Sequence, residues 1–187
     1  MARINSCVFI SGVGTNLKNL IHSSRNYNFP INIKLVISNK KNALGLTFAK
    51  KHSIPFRIIN TNERMFETKL LNEIKRKKIS LICLAGYMKI LSRDFIKNYK
   101  GKIINIHPSL LPKYKGTNTF SRILNNGEKK TGCTVHFVDE KLDSGKIILK
   151  KSFEIFNNEN INTIKKKTQK AEYRAFSEAI TKLYIES

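Results

Sequence analysis

Ile103-Ile104-Asn105-Ile106-His107-Pro108-Ser109-Leu110-Leu111-Pro112 is the stretch on which the reading of this chain turns. It begins as a β-branched, apolar run of strand type. It stops at His107-Pro108, because proline fixes φ and has no N–H to give to a sheet ladder. Side chains alternate along a strand, so Asn105 and His107 point the same way from its C-terminal end. An amide and an imidazole then share the small volume where α/β sheets hold their ligands.

Upstream of this stretch, Arg3 to Ile10 predicts a strand, and apolar residues at Leu17, Leu20 and Ile21 predict a helix. Between them lies Ser11-Gly12-Val13-Gly14-Thr15-Asn16. Gly12 and Gly14 allow a tight turn close to a ligand, and Thr15 and Asn16 bring donors to a helix N-terminus, the outline of a phosphate site. The motif is neither the dinucleotide fingerprint nor a Walker loop, so a plain strand-to-helix turn reads equally well. Further strands are predicted at Ile33 to Ile37, Phe56 to Ile59 and Ser80 to Leu84, with helices over Asn42 to Lys51 and Glu63 to Lys78. Strands separated by such helices imply right-handed βαβ units. The fold class is therefore α/β, doubly wound, with a mostly parallel sheet and helices on both faces.

After Ala85-Gly86-Tyr87, the segment Met88-Lys89-Ile90-Leu91 reads either as core packing or as the wall of a cofactor pocket. Ser92 is the expected cap of a helix over Asp94 to Tyr99. Beyond the opening stretch, the loop Pro108 to Gly116 leads to a helix from Asn118 to Asn125, closed by Asn126-Gly127 as a left-handed cap. Thr131 to Val138 and Lys146 to Phe156 read as strands pairing antiparallel at the sheet edge, and Ile161 to Ile185 as a long Lys-rich amphipathic helix.

The chain has 187 residues, 41% of them hydrophobic, enough for one domain with a sizeable core. A net charge of +22 raises nucleic-acid binding. The basic residues are spread along the whole chain, however, and the runs Lys75-Arg76-Lys77-Lys78 and Lys165-Lys166-Lys167 fall where solvated helix faces are expected. No dedicated nucleic-acid partner follows, although anionic small substrates would be attracted. Cys7, Cys83 and Cys133 are far apart, odd in number and set in apolar strands, so they read as buried thiols of a protein in a reducing cytoplasm. No apolar run reaches membrane-spanning length, and the chain enters its first strand without a signal-peptide pattern, so the mature protein is expected to start at residue 1 with no membrane partner.

An amide, an imidazole and a carboxylate suffice for acyl-type transfer to an amine. Asn105 can donate to a developing oxyanion, while His107 donates a second hydrogen bond or moves the proton. Asp143 would orient the imidazole and favour its charged form. Each residue also has an ordinary structural reading: His107 as a satisfied loop residue, Asn105 as a turn cap, Asp143 as an Asx turn before Gly145. Ser109 follows a proline and the cysteines lie within strands, so no covalent nucleophile is set up with His107. The four histidines lack metal-ligand spacing, and no metal is expected.

Taken in order, Ser11-Gly-Val-Gly-Thr-Asn-Leu17, Ser38-Asn-Lys40, Ala85-Gly-Tyr-Met-Lys-Ile-Leu91, Asn105-Ile-His-Pro-Ser-Leu-Leu-Pro112 and Val135-His-Phe-Val138 through Leu142-Asp-Ser-Gly145 resemble the phosphoribosylglycinamide formyltransferases, a family of folate-dependent enzymes of purine synthesis. The resemblance covers nearly the whole chain. It implies a formyltransferase-like, Rossmann-related single domain over 1–187, with the nucleotide side in about 1–100 and the catalytic and folate side in about 101–187. It implies transfer of a formyl group from 10-formyltetrahydrofolate, as co-substrate, to the amine of glycinamide ribonucleotide, by a monomer or homodimer. Asn105 would hold the formyl oxygen, His107 donate the proton, and Asp143 raise the basicity of His107. Gly14, Thr15 and Asn16 would bind the ribonucleotide phosphate. Met88, Lys89, Ile90 and Leu91, together with Asn105 and Arg64, would contact the folate, with the loop from Asp139 to Asp143 as the other wall.

Related families differ in added domains. Methionyl-tRNA formyltransferases carry a C-terminal tRNA-binding domain and formyltetrahydrofolate hydrolases an N-terminal regulatory one. This chain departs from the family pattern at Lys115-Gly-Thr-Asn118 and Phe120, where histidines are usual, at Arg64 and Lys89, and after Thr168-Gln169. The last leaves open whether Glu172 makes a ribonucleotide contact. A homologue that binds folate or nucleotide without catalysis, a basic RNA-associated module, and a formyltransferase for amino-sugar nucleotides are the rival readings.

Overall fold

The computed structural model describes residues 3–60 and 65–185. Glu63 and Arg64, the latter expected near the folate, lie outside the described residues. The elements are β1 (Ile4–Ile10), α1 (Thr15–Ser24), β2 (Ile31–Ser38), α2 (Gly45–Lys51), β3 (Phe56–Ile58), α3 (Phe66–Arg76), β4 (Leu81–Leu84), α4 (Arg93–Asn98), β5 (Lys102–His107), α5 (Thr119–Asn125), β6 (Lys130–Phe137), β7 (Ile147–Glu154) and α6 (Ile161–Tyr184).

The strands form one seven-stranded sheet in the order β3-β2-β1-β4-β5-β6-β7. The first five strands are parallel, β5 and β6 pair antiparallel, and so do β6 and β7. The expected doubly wound sheet is thus present, with one refinement at its end. The reversed strand is β6, one place in from the edge, so the edge strand β7 runs in the direction of β5.

The central strand is packed on both sides. Cys7, Val8, Phe9 and Ile10 are all fully buried, with alternate residues serving opposite faces. Val8 and Ile10 pack with Leu17 and Leu20 of α1 and Phe176, Ala179 and Ile180 of α6. Cys7 and Phe9 pack with Leu70 and Ile74 of α3 and Phe95 of α4. The three cysteines are free and buried, as inert core thiols should be. In α6 the buried residues Ile164, Thr168, Ala175, Phe176, Ala179 and Ile180 make one face, leaving Lys165, Lys166 and Lys170 to solvent.

Several boundaries differ from the sequence expectation. The second helix begins at Gly45 rather than Asn42, because Ala43 N donates to Lys40 O in a tight turn that precedes it. The last strand ends at Glu154, where Ile155 N turns to Lys129 O. Ser92 caps α4 as expected, its Oγ accepting from Phe95 N at 3.0 Å.

Phe9 meets Tyr87 edge-on with ring centroids 5.3 Å apart and Phe95 at 6.4 Å. Phe9→Ala should cost about 3–5 kcal/mol of unfolding free energy in a urea titration, since the fixed sheet and helices cannot close over the space.

Candidate active site

The order of the sheet places its topological switch between β1 and β4, and the C-terminal ends of the parallel strands open a crevice there. Asn105 and His107 reach this edge from β5, two residues apart on one face. The antiparallel pairing of β6 sets His136 opposite Asn105 and Thr134 opposite His107.

Asn105 Nδ2 lies 3.2 Å from His136 Nε2, and His136 Nδ1 is 2.7 Å from the Phe137 carbonyl. With Nδ1 donating to that carbonyl, Nε2 is left as the acceptor for the Asn105 amide. Burial pushes the pKa of His136 below the usual histidine value and keeps the ring neutral, which this tautomer requires. One Asn105 N–H is thereby held by His136, and the second is left to donate elsewhere.

The β6–β7 connection brings Asp143 back to the same place. Asp143 Oδ2 is 3.3 Å from His107 Nδ1, and Oδ1 is 3.7 Å from His136 Nε2. Only 6% and 7% of the His107 and Asp143 side chains are exposed, so water screens their contact little. Asp143 has left-handed φ of 48°, and Oδ2 also accepts from Gly116 N at 2.8 Å. Gly145 follows because the returning chain crosses β6 too closely for a side chain: a Cβ there would stand 1.9 Å from Phe137 O.

The other nitrogen of His107, Nε2, is 2.8 Å from the carbonyl of Tyr114. Both partners of the ring are acceptors, so the imidazolium is the form that satisfies them together. The Tyr114 carbonyl is held in place by its loop. Thr134 Oγ1 donates to Ser109 O and accepts from Leu111 N, Ser109 Oγ donates to Lys113 O, and Tyr114 Oη donates to Glu128.

The glycine turn has the expected form. Gly14 has φ of 75°, and no side chain caps α1, so the first-turn N–H groups are open to a ligand. A Cβ on Gly14 would lie 2.4 Å from Gly45 Cα, which requires glycine there on steric grounds as well. Asn16 Nδ2 donates to Glu172 Oε2 at 2.9 Å, while Asn16 Oδ1 is buried without a hydrogen-bond partner among the described residues. Burial pushes the Glu172 carboxyl up to about 7, with the Asn16 hydrogen bond opposing the shift.

Met88 and Ile90 are 64% and 77% exposed, and Leu142, in the connection that carries Asp143, is 55% exposed. Lys89 is exposed with them, whereas Leu91 is 5% exposed and belongs to the core beneath. Glu140 ties the loop that carries Leu142 to α4 through Arg93 at 3.7 Å and Lys97 at 3.5 Å. The departures at Asn118 and Phe120 are structural: Asn118 takes a left-handed φ of 55° before α5, and Phe120 packs against the cluster of Ile123, Ile155 and Ile164.

Sequence reading brought Asn105, His107 and Asp143 together and missed His136, although its place in an alternating strand was visible. Its role depends on register, which needs the β5–β6 pairing. The Tyr114 carbonyl left no signal at all. A hollow of about 520 Å³ lined by Asn32, Lys34, His52 and Pro55 lies at the start of β2, the opposite end of the sheet from this cluster. No group of three or more His, Cys, Asp or Glu among the described residues is arranged to hold a metal.

Fold and site together define a Rossmann-related α/β protein with Asn105, His107 and Asp143 gathered at the carboxyl edge of its sheet. The sequence profile described as formyl transferase matches residues 4–180, and the chain belongs to that family. It is 40% identical to the phosphoribosylglycinamide formyltransferase of Haemophilus influenzae over 173 residues, covering 90% of this chain and 82% of that protein. It is 41% identical to the trifunctional purine biosynthetic protein adenosine-3 of Gallus gallus, covering 95% of this chain but 18% of that protein, so it spans less than a fifth of such relatives. The crystal structure of phosphoribosylglycinamide formyltransferase from Brucella melitensis is similar at a TM-score of 0.91 with 37% identity, over 97% of this chain and 95% of that one. The phosphoribosylglycinamide formyltransferase structure from Coxiella burnetii, in complex with CHES, gives 0.92 with 37% identity over 98% and 88%.

The raised pKa of Glu172 makes stability depend on pH. Unfolded, this carboxyl ionises near the ordinary glutamate value; folded, it ionises near 7. Its favourable contribution is present below about 4.5 and is lost as pH rises through 7. Glu172→Gln should therefore raise the melting temperature over the parent by more at pH 8 than at pH 5, measured by differential scanning calorimetry.

Proposed function

We propose that the chain transfers the formyl group of 10-formyltetrahydrofolate to the amine of glycinamide ribonucleotide, a step of purine synthesis. The observation that carries the reading is the convergence of Asn105, His107 and Asp143, joined by way of His136 and within hydrogen-bonding or ion-pair reach of their neighbours. The names of the relatives agree with it.

In this reaction the amine nitrogen attacks the formyl carbon, the carbon–oxygen double bond opens to an oxyanion, and the intermediate collapses with rupture of the bond to folate N10. The amine loses a proton and N10 gains one. The second N–H of Asn105 donates to the oxyanion, since the first is occupied by His136. His107 supplies and recovers the proton, and Asp143 stabilises its imidazolium and fixes the ring orientation. To reach substrate, His107 Nε2 must exchange the Tyr114 carbonyl for the reacting group. No covalent intermediate is needed.

The phosphate of the ribonucleotide is assigned to the N–H groups of Gly14, Thr15 and Asn16. The orphaned Asn16 Oδ1 asks for a donor, which a ribose hydroxyl or the glycinamide amide supplies, and Glu172 beside it is assigned to the same ligand. Met88 and Ile90, Lys89 at the rim, and Leu142 opposite form the folate wall in this reading. Leu91 supports that wall from the core, and Arg64 is kept as a folate contact. One domain serves both ligands, because Glu172 of the second half bonds Asn16 of the first.

Small-molecule substrates, a cytoplasmic location and a monomer or homodimer complete the proposal. The basic residues Lys75, Arg76, Lys165 and Lys166 lie exposed on two different helices, α3 and α6, which favours a solvated surface over a nucleic-acid stripe. A binding protein without catalysis is the second reading, motivated by the altered loop at Asn118 and Phe120.

Purified protein given 10-formyltetrahydrofolate and glycinamide ribonucleotide should release tetrahydrofolate. Binding of both ligands without turnover would select the second reading. His107→Ala should lower kcat by ~10²–10⁴ with an unchanged circular dichroism spectrum. Turnover close to that of the parent would remove His107 from the proton-transfer role.

A further inference from the structure

One buried hydroxyl ties together the loops that carry the two proposed ligand sides. Ser11 is the first residue after β1 and is 4% exposed. Its Oγ accepts from Met88 N at 2.8 Å and donates to Asn39 Oδ1 at 2.5 Å, while its own N–H donates to Gly86 O at 3.2 Å. A hydroxyl has a single proton. With Met88 N–H taking a lone pair, that proton goes to Asn39, so the three groups form one directed chain from the end of β4 through β1 to the end of β2.

Each strand end continues into a different part of the crevice. After Ser11 comes the Gly12 to Asn16 loop, after Met88 the exposed apolar segment, and Asn39 opens the turn that Ser38 closes through Lys40 N at 3.1 Å and Lys40 O at 2.8 Å. β1 and β4 are the two strands flanking the switch point, and their main-chain pairing runs out with the bonds from Ala85 N to Phe9 O and from Ser11 N to Gly86 O. Beyond those bonds the Ser11 side chain carries the link on to Met88 and Asn39.

Resting on the proposed formyl transfer, we infer that Ser11 is a positioning residue that sets the distance between the folate wall at Met88 and the ribonucleotide loop at Gly12 to Asn16. Its contribution is to the relative placement of formyl carbon and amine, not to the affinity for either ligand. Placement of two reactants is the quantity most sensitive to small displacements. Ser11 touches neither His107 nor Asp143 in any hydrogen bond described above, so it leaves the proton-transfer groups as they are.

The test is Ser11→Ala. Binding of glycinamide ribonucleotide and of an unreactive folate analogue is measured separately by calorimetry, and kcat and its pH profile by steady-state kinetics. The expected result is a kcat lower by ~10-fold to ~10²-fold, each binary Kd within about threefold of the parent, and unchanged midpoints in the pH profile. A kcat within twofold of the parent would overturn the inference. So would a loss of both affinities by more than tenfold together with a lowered melting temperature, which would make Ser11 a residue of local folding only. Melting in step with the parent while kcat falls keeps placement and folding apart. If the parent protein itself shows no turnover with these substrates, the formyl-transfer reading fails and the inference falls with it. An active parent with an equally active variant sinks the role of Ser11 alone.

Discussion

The pairing of β5 with β6 is the constraint from which the site follows. Asn105 faces His136 and His107 faces Thr134 because the two strands run in opposite directions in this register. A slip of one residue would turn every β6 side chain to the other face of the sheet. His136 would then leave Asn105, and Thr134 would release the loop that holds the Tyr114 carbonyl against His107. The reversal also decides where the chain goes next. β6 runs away from the crevice, and the connection over 138–146, closed by the hydrogen bond from Phe137 N to Lys146 O, brings Asp143 back to His107 before β7 begins.

Burial gives these groups their chemical character. The carboxylate of Asp143 is shielded from water but accepts from Gly116 and faces His107, so its charge is compensated locally. His136 is kept neutral by the same burial and so can accept from Asn105. Glu172 accepts from the Asn16 amide, and burial pushes its ionisation up to about 7 against that hydrogen bond. A net charge of +22 is compatible with this arrangement because the lysines stay on solvated faces.

Much of the fold could be read residue by residue. The apolar run of β1, the glycine turn and the spacing of Leu17, Leu20 and Ile21 predict strand, loop and helix, and the structure has all of them. Ser92 as a cap and Gly127 as a left-handed stop follow local rules that act within a few residues. Boundaries drifted at Asn42 and at Phe156 because turns there are closed by main-chain hydrogen bonds that no side chain announces. The segment Met88 to Leu91 illustrates the limit: its apolar composition is plain, yet its division into exposed Met88 and Ile90 and buried Leu91 depends on how the chain leaves β4.

The sequence by itself determined the class of fold and the family, and it singled out Asn105, His107 and Asp143 as candidates, because each rests on local pattern or on motif order. Only the tertiary structure decided that His136 holds Asn105, that the Tyr114 carbonyl occupies His107 Nε2, and that Glu172 lies against Asn16. The physical reason is common to all three. They are contacts between segments 7 to 156 residues apart, set by strand register and helix docking, and a hydrogen bond to a main-chain carbonyl or between distant side chains leaves no period, spacing or composition to read.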